Sequence, residues 1–70
     1  MKKKILVEGM RFSHCVYHVS EVLKDIGAKD VDVNFKMKVA TAEISEEITD
    51  YAIKLAIEDA GYDVVGIEKA

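Results

Sequence analysis

The order of the hydrophobic periodicities constrains this chain most, because they switch between the two-residue period of strands and the 3.6-residue period of helices. Four short segments alternate apolar and polar residues, and two longer segments carry an apolar residue at every third or fourth position. The predicted order is therefore β-α-β-β-α-β. The four predicted strands are Lys4 to Glu8, Val31 to Phe35, Ala40 to Ile44, and Tyr62 to Glu68.

The first helical segment is predicted to run from about His14 to Ile26. Ser13 is a favourable N-cap residue, and Gly27 allows the left-handed conformation that commonly ends a helix. At 100° per residue the apolar positions form one stripe, which predicts the face that packs on the core. That stripe contains Cys15, Val16, Val19, Val22, Leu23 and Ile26.

The second helical segment is predicted to begin at Ser45 and to end before Gly61. Ser45 supplies a capping hydroxyl, and Glu46 and Glu47 place negative charge at the positive end of the helix dipole. The apolar stripe predicted for this helix contains Ile48, Ala52, Leu55, Ala56 and Ala60. Between the second and third strands, Lys36 to Lys38 is predicted to form a hairpin turn without the usual glycine or asparagine.

Together these elements predict a single domain covering residues 1–70. Right-handed crossovers place both helices on one face of a four-stranded antiparallel sheet, which is the ferredoxin-like βαββαβ sandwich of the α+β class. That fold supports many functions, so the function has to be argued from the site.

Composition excludes several classes of function. The chain has 70 residues, a single cysteine, 13 acidic and 10 basic side chains. One cysteine excludes an internal disulfide and suits a reducing compartment, so we expect a cytoplasmic protein. The net negative charge argues against nucleic-acid binding. No apolar run approaches the roughly 20 residues of a membrane helix, and the apolar part of the N-terminal segment is too short for a signal peptide.

The junction between the first strand and the first helix reads Gly9-Met10-Arg11-Phe12-Ser13-His14-Cys15. Small βαββαβ domains often hold a soft metal ion at this junction, using two thiols three residues apart. Here Cys15 supplies one thiol, and Phe12 stands where the other would be. Thiolates are preferred ligands of Cu(I), and the first turn of a helix lowers the pKa of a thiol.

The chain resembles the heavy-metal-associated domain family over almost its whole length. Gly9, Met10 and Cys15 match the family's Gly-Met-x-Cys-x-x-Cys loop, while Phe12 departs from it at the first cysteine. The segment Ala60 to Val64 is similar to the end of the second helix in prokaryotic members. The resemblance implies the ferredoxin-like fold and metal trafficking, with Tyr62 near the metal loop and Met10 packed beneath it.

Three side chains are candidate metal ligands: Cys15, His14 and His18. The two histidines are four residues apart on one helical face, so both could reach one ion, and with Cys15 they would suit Zn(II), Cu(II) or Ni(II). The alternative is that Cys15 packs as a small apolar residue and that the histidines lie on a solvated face beside Glu21 and Asp25.

The leading functional hypothesis is a non-enzymatic module that binds or traffics a soft metal, Cu(I) before Zn(II), with Cys15 as ligand. His14 or His18, a small thiol such as glutathione, or Cys15 of a second copy could complete the coordination. The last option predicts a homodimer, and the family resemblance makes a metal-transporting ATPase a possible partner. The alternative hypothesis is a docking module without metal, in which Phe12, Met10 and Tyr62 form the contact surface.

Two further functions of this fold are disfavoured. An acylphosphatase-like enzyme needs an arginine in a phosphate-binding loop with an asparagine nearby, and the loop around the only arginine, Arg11, has a single glycine. An RNA-binding version needs exposed aromatic residues on the central strands, which are missing here.

Overall fold

A computed structural model describes all 70 residues of the chain. The elements follow the predicted order: β1 Lys2–Glu8, α1 Cys15–Asp25, β2 Lys29–Asn34, β3 Val39–Glu43, α2 Asp50–Asp59 and β4 Asp63–Lys69. Neither helix is long and apolar enough to cross a membrane.

The four strands form one sheet in the order β2-β3-β1-β4, with every neighbouring pair antiparallel. The ferredoxin-like fold is thus confirmed. Alternate residues of β1 and β3 point to the helices, as the two-residue period requires. The buried core unites these strand residues with the inner faces of both helices, and its fully buried members include Ile5, Ala40, Ala42, Val19, Leu23, Ile53 and Ile57.

Helix α1 has the predicted apolar face but a different beginning. Cys15, Val19 and Leu23 are buried. The helix starts at Cys15 with His14 as its N-cap, and no side chain caps it. Its entry is a tight turn in which the amides of Cys15 and Val16 donate to the carbonyls of Phe12 and Ser13, three residues back. The predicted cap at Ser13 is therefore wrong, because Ser13 lies inside that turn.

The N-cap of helix α2 lies four residues later than predicted. Thr49 is the N-cap, and its Oγ1 accepts a hydrogen bond from the Ala52 amide at 3.1 Å. Ser45 instead opens a turn, in which its carbonyl accepts from the Ile48 amide at 3.1 Å. The predicted buried stripe is wrong in part: Ile53 and Ile57, which it left out, are the buried residues, and Leu55, which it included, is 48% exposed. Of its other members, Ile48 packs against the core, Ala52 and Ala56 are half-buried, and Ala60 is exposed.

The β2–β3 hairpin turns without glycine because two other residues meet its requirements. Lys38 adopts a left-handed backbone conformation with φ of 57°, and Asn34 Oδ1 accepts the Met37 amide at 3.0 Å. The Lys38 carbonyl then accepts from the Val7 amide at 2.9 Å. These contacts place the hairpin at the end of the sheet where β1 leads into the Gly9–Cys15 loop.

Candidate metal-binding site

The loop between β1 and α1 packs on the core through Met10 and against the side chain of Tyr62. Gly9 leaves β1 with φ of 98°, a conformation that favours glycine. Its Cα faces Tyr62, since a Cβ placed there would lie 3.7 Å from both Cα and Cδ1 of that tyrosine. Met10 is buried in the core beneath the loop. The positions of Met10 and Tyr62 agree with what the family resemblance implies.

Cys15 lies at the first position of α1 and is 7% exposed. A hydrogen bond from the Tyr62 side chain lowers the pKa of its thiol, and hydrogen bonds from the Phe12 and Arg11 amides lower it further. Burial opposes these effects by disfavouring the charged form. The hydrogen bonds prevail, so the pKa of the Cys15 thiol lies below its ordinary value and the thiolate is favoured.

Tyr62 contacts two side chains of helix α1, Cys15 and His18. It follows Gly61 directly before β4 and is 8% exposed. Its hydroxyl lies 3.2 Å from Nδ1 of His18. The hydrogen bond to Cys15, burial, and the charge of the Cys15 thiolate together raise the pKa of Tyr62 to about 12. The hydroxyl therefore remains protonated and able to donate to sulfur.

The two histidines lie on the exposed surface of the site. The ring of His14 stacks on Phe12, with ring centres 5.6 Å apart and planes 7° from parallel. His14 and His18 meet edge to face, with ring centres 5.7 Å apart and planes at 78°. The aromatic ring at position 12 therefore contacts an imidazole at the mouth of the loop.

Of the three candidate ligands, the structure brings only His14 and His18 into contact with each other, and Tyr62 lies between His18 and Cys15. Cys15 contacts Tyr62, Tyr62 contacts His18, and His18 contacts His14. No group of three or more His, Cys, Asp or Glu side chains is placed to hold one metal ion. Sequence reasoning missed the contact between Tyr62 and His18, which are 44 residues apart. Nothing in the local pattern could have indicated it.

The surface observed around Phe12 differs from the predicted contact surface, which included Met10 and Tyr62. Met10 and Tyr62 are buried and contribute little surface. Phe12 is 63% exposed, and the other large exposed aromatic residue near it is Tyr17 on the first turn of α1. Phe12 and Tyr17 are therefore the large aromatic residues exposed in the loop and in the first turn of α1.

Comparisons with known proteins agree with the fold. The profile of the heavy-metal-associated domain matches residues 4–63. A mercuric reductase from Bacillus cereus is 38% identical over 63 residues, which are 89% of this chain and 10% of that protein. The copper chaperone CopZ from Staphylococcus aureus (strain JH9) is 38% identical over 68 residues, which cover 93% of this chain and all of CopZ.

Among solved structures, a CopZ metallochaperone superimposes with a TM-score of 0.84 at 33% identity, covering 93% of this chain and all of that one. The chain spans about a tenth of the length of the mercuric reductases it matches, and the full length of the chaperones. A βαββαβ domain with this loop, matched over 60 of its residues by one profile, belongs to the heavy-metal-associated domain family.

Proposed function

We propose that this domain binds Cu(I) through the Cys15 thiolate and delivers it to an acceptor protein. The supporting observation is the environment of that thiol. The pKa of the thiol is lowered by the Tyr62 hydroxyl and by loop amides. Cys15 also lies at the strand–helix junction where the heavy-metal-associated domain family carries its metal ligands. Soft thiolate sulfur favours Cu(I) over harder ions. The similarity to copper chaperones along their full length also supports this proposal.

The second ligand of the copper ion comes from outside the chain in this proposal. Phe12 cannot ligate, Cys15 is the only cysteine, and the side chain that contacts its sulfur is Tyr62 and not a histidine. A small thiol such as glutathione would complete a two-coordinate Cu(I) site. Cys15 of a second copy would do the same and create a copper-bridged homodimer.

A one-thiol site would also release its cargo readily. Since the domain supplies a single sulfur, an acceptor that offers two thiols would displace the external thiol first and Cys15 second. We infer that the acceptor is a protein with a two-cysteine copper site, such as the corresponding domain of a metal-transporting ATPase. Phe12 and Tyr17, both exposed beside the loop, would lie at the contact with it.

A docking domain without metal is the second candidate function. The observation in its favour is the exposure of Phe12 at 63%, since large apolar side chains exposed together mark contact surfaces. In that case the loop would be recognised by a partner protein, and the thiol would be incidental.

Anaerobic titration of the reduced protein with Cu(I) against a chromophoric chelator separates the two functions. We expect competition by the wild type in the presence of glutathione, and none by Cys15→Ser. Ser13→Ala, a change in the same loop that leaves the thiol in place, serves as the control and should compete like the wild type. Native mass spectrometry gives the stoichiometry, with two chains per copper indicating the homodimer. If the wild type fails to compete, the docking function replaces copper binding.

A further inference from the structure

We propose that His14 and His18 form a separate binding site for a borderline divalent cation such as Zn(II), without Cys15. This site does not depend on the proposed Cu(I) function, because it uses different side chains and a different class of metal. Imidazole nitrogen suits zinc, nickel and copper(II), whereas the lone thiolate suits Cu(I).

The spacing of the two imidazoles agrees with chelation. Residues four apart on a helix are neighbours on its surface. A zinc–nitrogen bond of about 2.0–2.1 Å in tetrahedral geometry places the centres of two ligating rings about 5 Å apart. The ring centres of His14 and His18 are 5.7 Å apart, and both residues are exposed. A small rotation of the side chains would bring them to the ligating distance, and water would occupy the remaining positions.

The contact between His18 and Tyr62 prepares one of the ligands. Nδ1 of His18 lies 3.2 Å from the Tyr62 hydroxyl. In the tautomer that carries its proton on Nδ1, the ring donates to that oxygen and keeps a lone pair on Nε2. Histidine ligands commonly hold their second nitrogen in such an outer-shell hydrogen bond, which orients the ring.

Phe12 restricts the other ligand. Its ring lies almost parallel to that of His14, which limits the orientations the imidazole can adopt. Each histidine is thus oriented by a neighbour that is not itself a ligand, His14 by Phe12 and His18 by Tyr62. The residue that replaces a thiol in the loop is the one that stacks on His14.

The site is tested by titrating the metal-free, reduced full chain with Zn(II) against a chromophoric chelator. Loss of an outer-shell partner costs about 10- to 100-fold in metal affinity, and loss of a ligand should cost at least as much. We therefore expect His14→Gln and His18→Gln each to weaken Zn(II) binding by about tenfold or more. Cys15→Ser should bind within about twofold of the wild type, since its sulfur is not a ligand.

Two further measurements make the test specific. Glu47→Gln removes an exposed carboxylate from the turn before α2, away from both histidines in the sequence, and should leave Zn(II) affinity unchanged. Nitrogen-15 NMR of the imidazoles should show Zn(II)-dependent shifts at Nε2 of His18 and at one nitrogen of His14. Zn(II) affinity that survives both histidine substitutions, or that disappears in Cys15→Ser, would overturn the proposal. Either result would leave the Cu(I) titration as an independent measurement.

Discussion

The Tyr62 hydroxyl lies 3.2 Å from Nδ1 of His18, and the same hydroxyl hydrogen-bonds to the Cys15 thiol. Tyr62, the residue directly before β4, therefore contacts two side chains of α1 that are three residues apart. The thiol environment is built from the segment after β1 and the segment before β4 together. Its properties depend on tertiary structure as well as on the loop sequence.

Tyr62→Phe should raise the pKa of the Cys15 thiol. The hydrogen bond from Tyr62 is the largest cause of the lowered pKa, so its removal shifts the equilibrium toward the neutral thiol. The pKa can be followed from thiolate absorbance or from the rate of alkylation as a function of pH. Tyr51→Phe, which removes a hydroxyl from an exposed tyrosine on α2, is the control and should have no effect. An unchanged thiol pKa in Tyr62→Phe would contradict the assigned contact.

Tyr62 should also make the protein sensitive to strong alkali. Its pKa is raised from 10.0 to about 12 in the folded state, so its contribution to stability is complete below pH 10 and is lost as the pH rises to about 12. We expect the difference in the free energy of unfolding between wild type and Tyr62→Phe to shrink between pH 10 and pH 12. Urea unfolding at each pH measures it. A difference that stays constant over this range would argue against a raised pKa.

Phe12→Cys should create a two-thiol copper site. The second thiolate would then bind within the same chain instead of from solution, and such linkage typically raises affinity by about 10²- to 10⁴-fold. Competition for Cu(I) without added thiol is the appropriate measurement. Ser13→Cys adds a thiol at the neighbouring position with the wrong spacing and should gain much less. Equal gains in the two variants would show that the loop does not position its side chains.

Helix α2 offers a direct check of the observed packing. Ile53 is fully buried and Leu55 is 48% exposed, although the apolar pattern predicts the opposite for Leu55. Ile53→Ala should lower the free energy of unfolding by about 2–5 kcal/mol because it leaves a cavity in the core. Leu55→Ala, of similar size, should change it by about 0.5 kcal/mol or less. Urea denaturation followed by circular dichroism measures both, and similar losses would mean that the helix is rotated.

Element order and fold class could be predicted because each strand and helix carries its own periodicity, and the glycines mark where helices end. The start of α2 could not, because Ser45 and Thr49 are both favourable caps and each precedes apolar residues. Local chemistry does not decide between them. Ile48 packs against the core from the turn before the helix, and Thr49 then caps helix α2.

The candidate site was predictable only in part. Cys15 follows from loop chemistry and from the family resemblance, and the proximity of Tyr62 follows from the resemblance alone. The contact from Tyr62 to His18 depends on how α1 packs beside the start of β4, which no local spacing encodes. Phe12 stacking on His14 is likewise a consequence of the tight turn that precedes α1.

Protection of Cys15 from alkylation by Cu(I) tests the central claim most directly. Cys15 is the only cysteine, so the extent of modification by iodoacetamide, read by mass spectrometry, reports on this thiol alone. With glutathione present, one equivalent of Cu(I) should slow alkylation strongly, and removing the metal with a Cu(I) chelator should restore it. Alkylation at the same rate with and without Cu(I) would show that Cys15 is not a copper ligand.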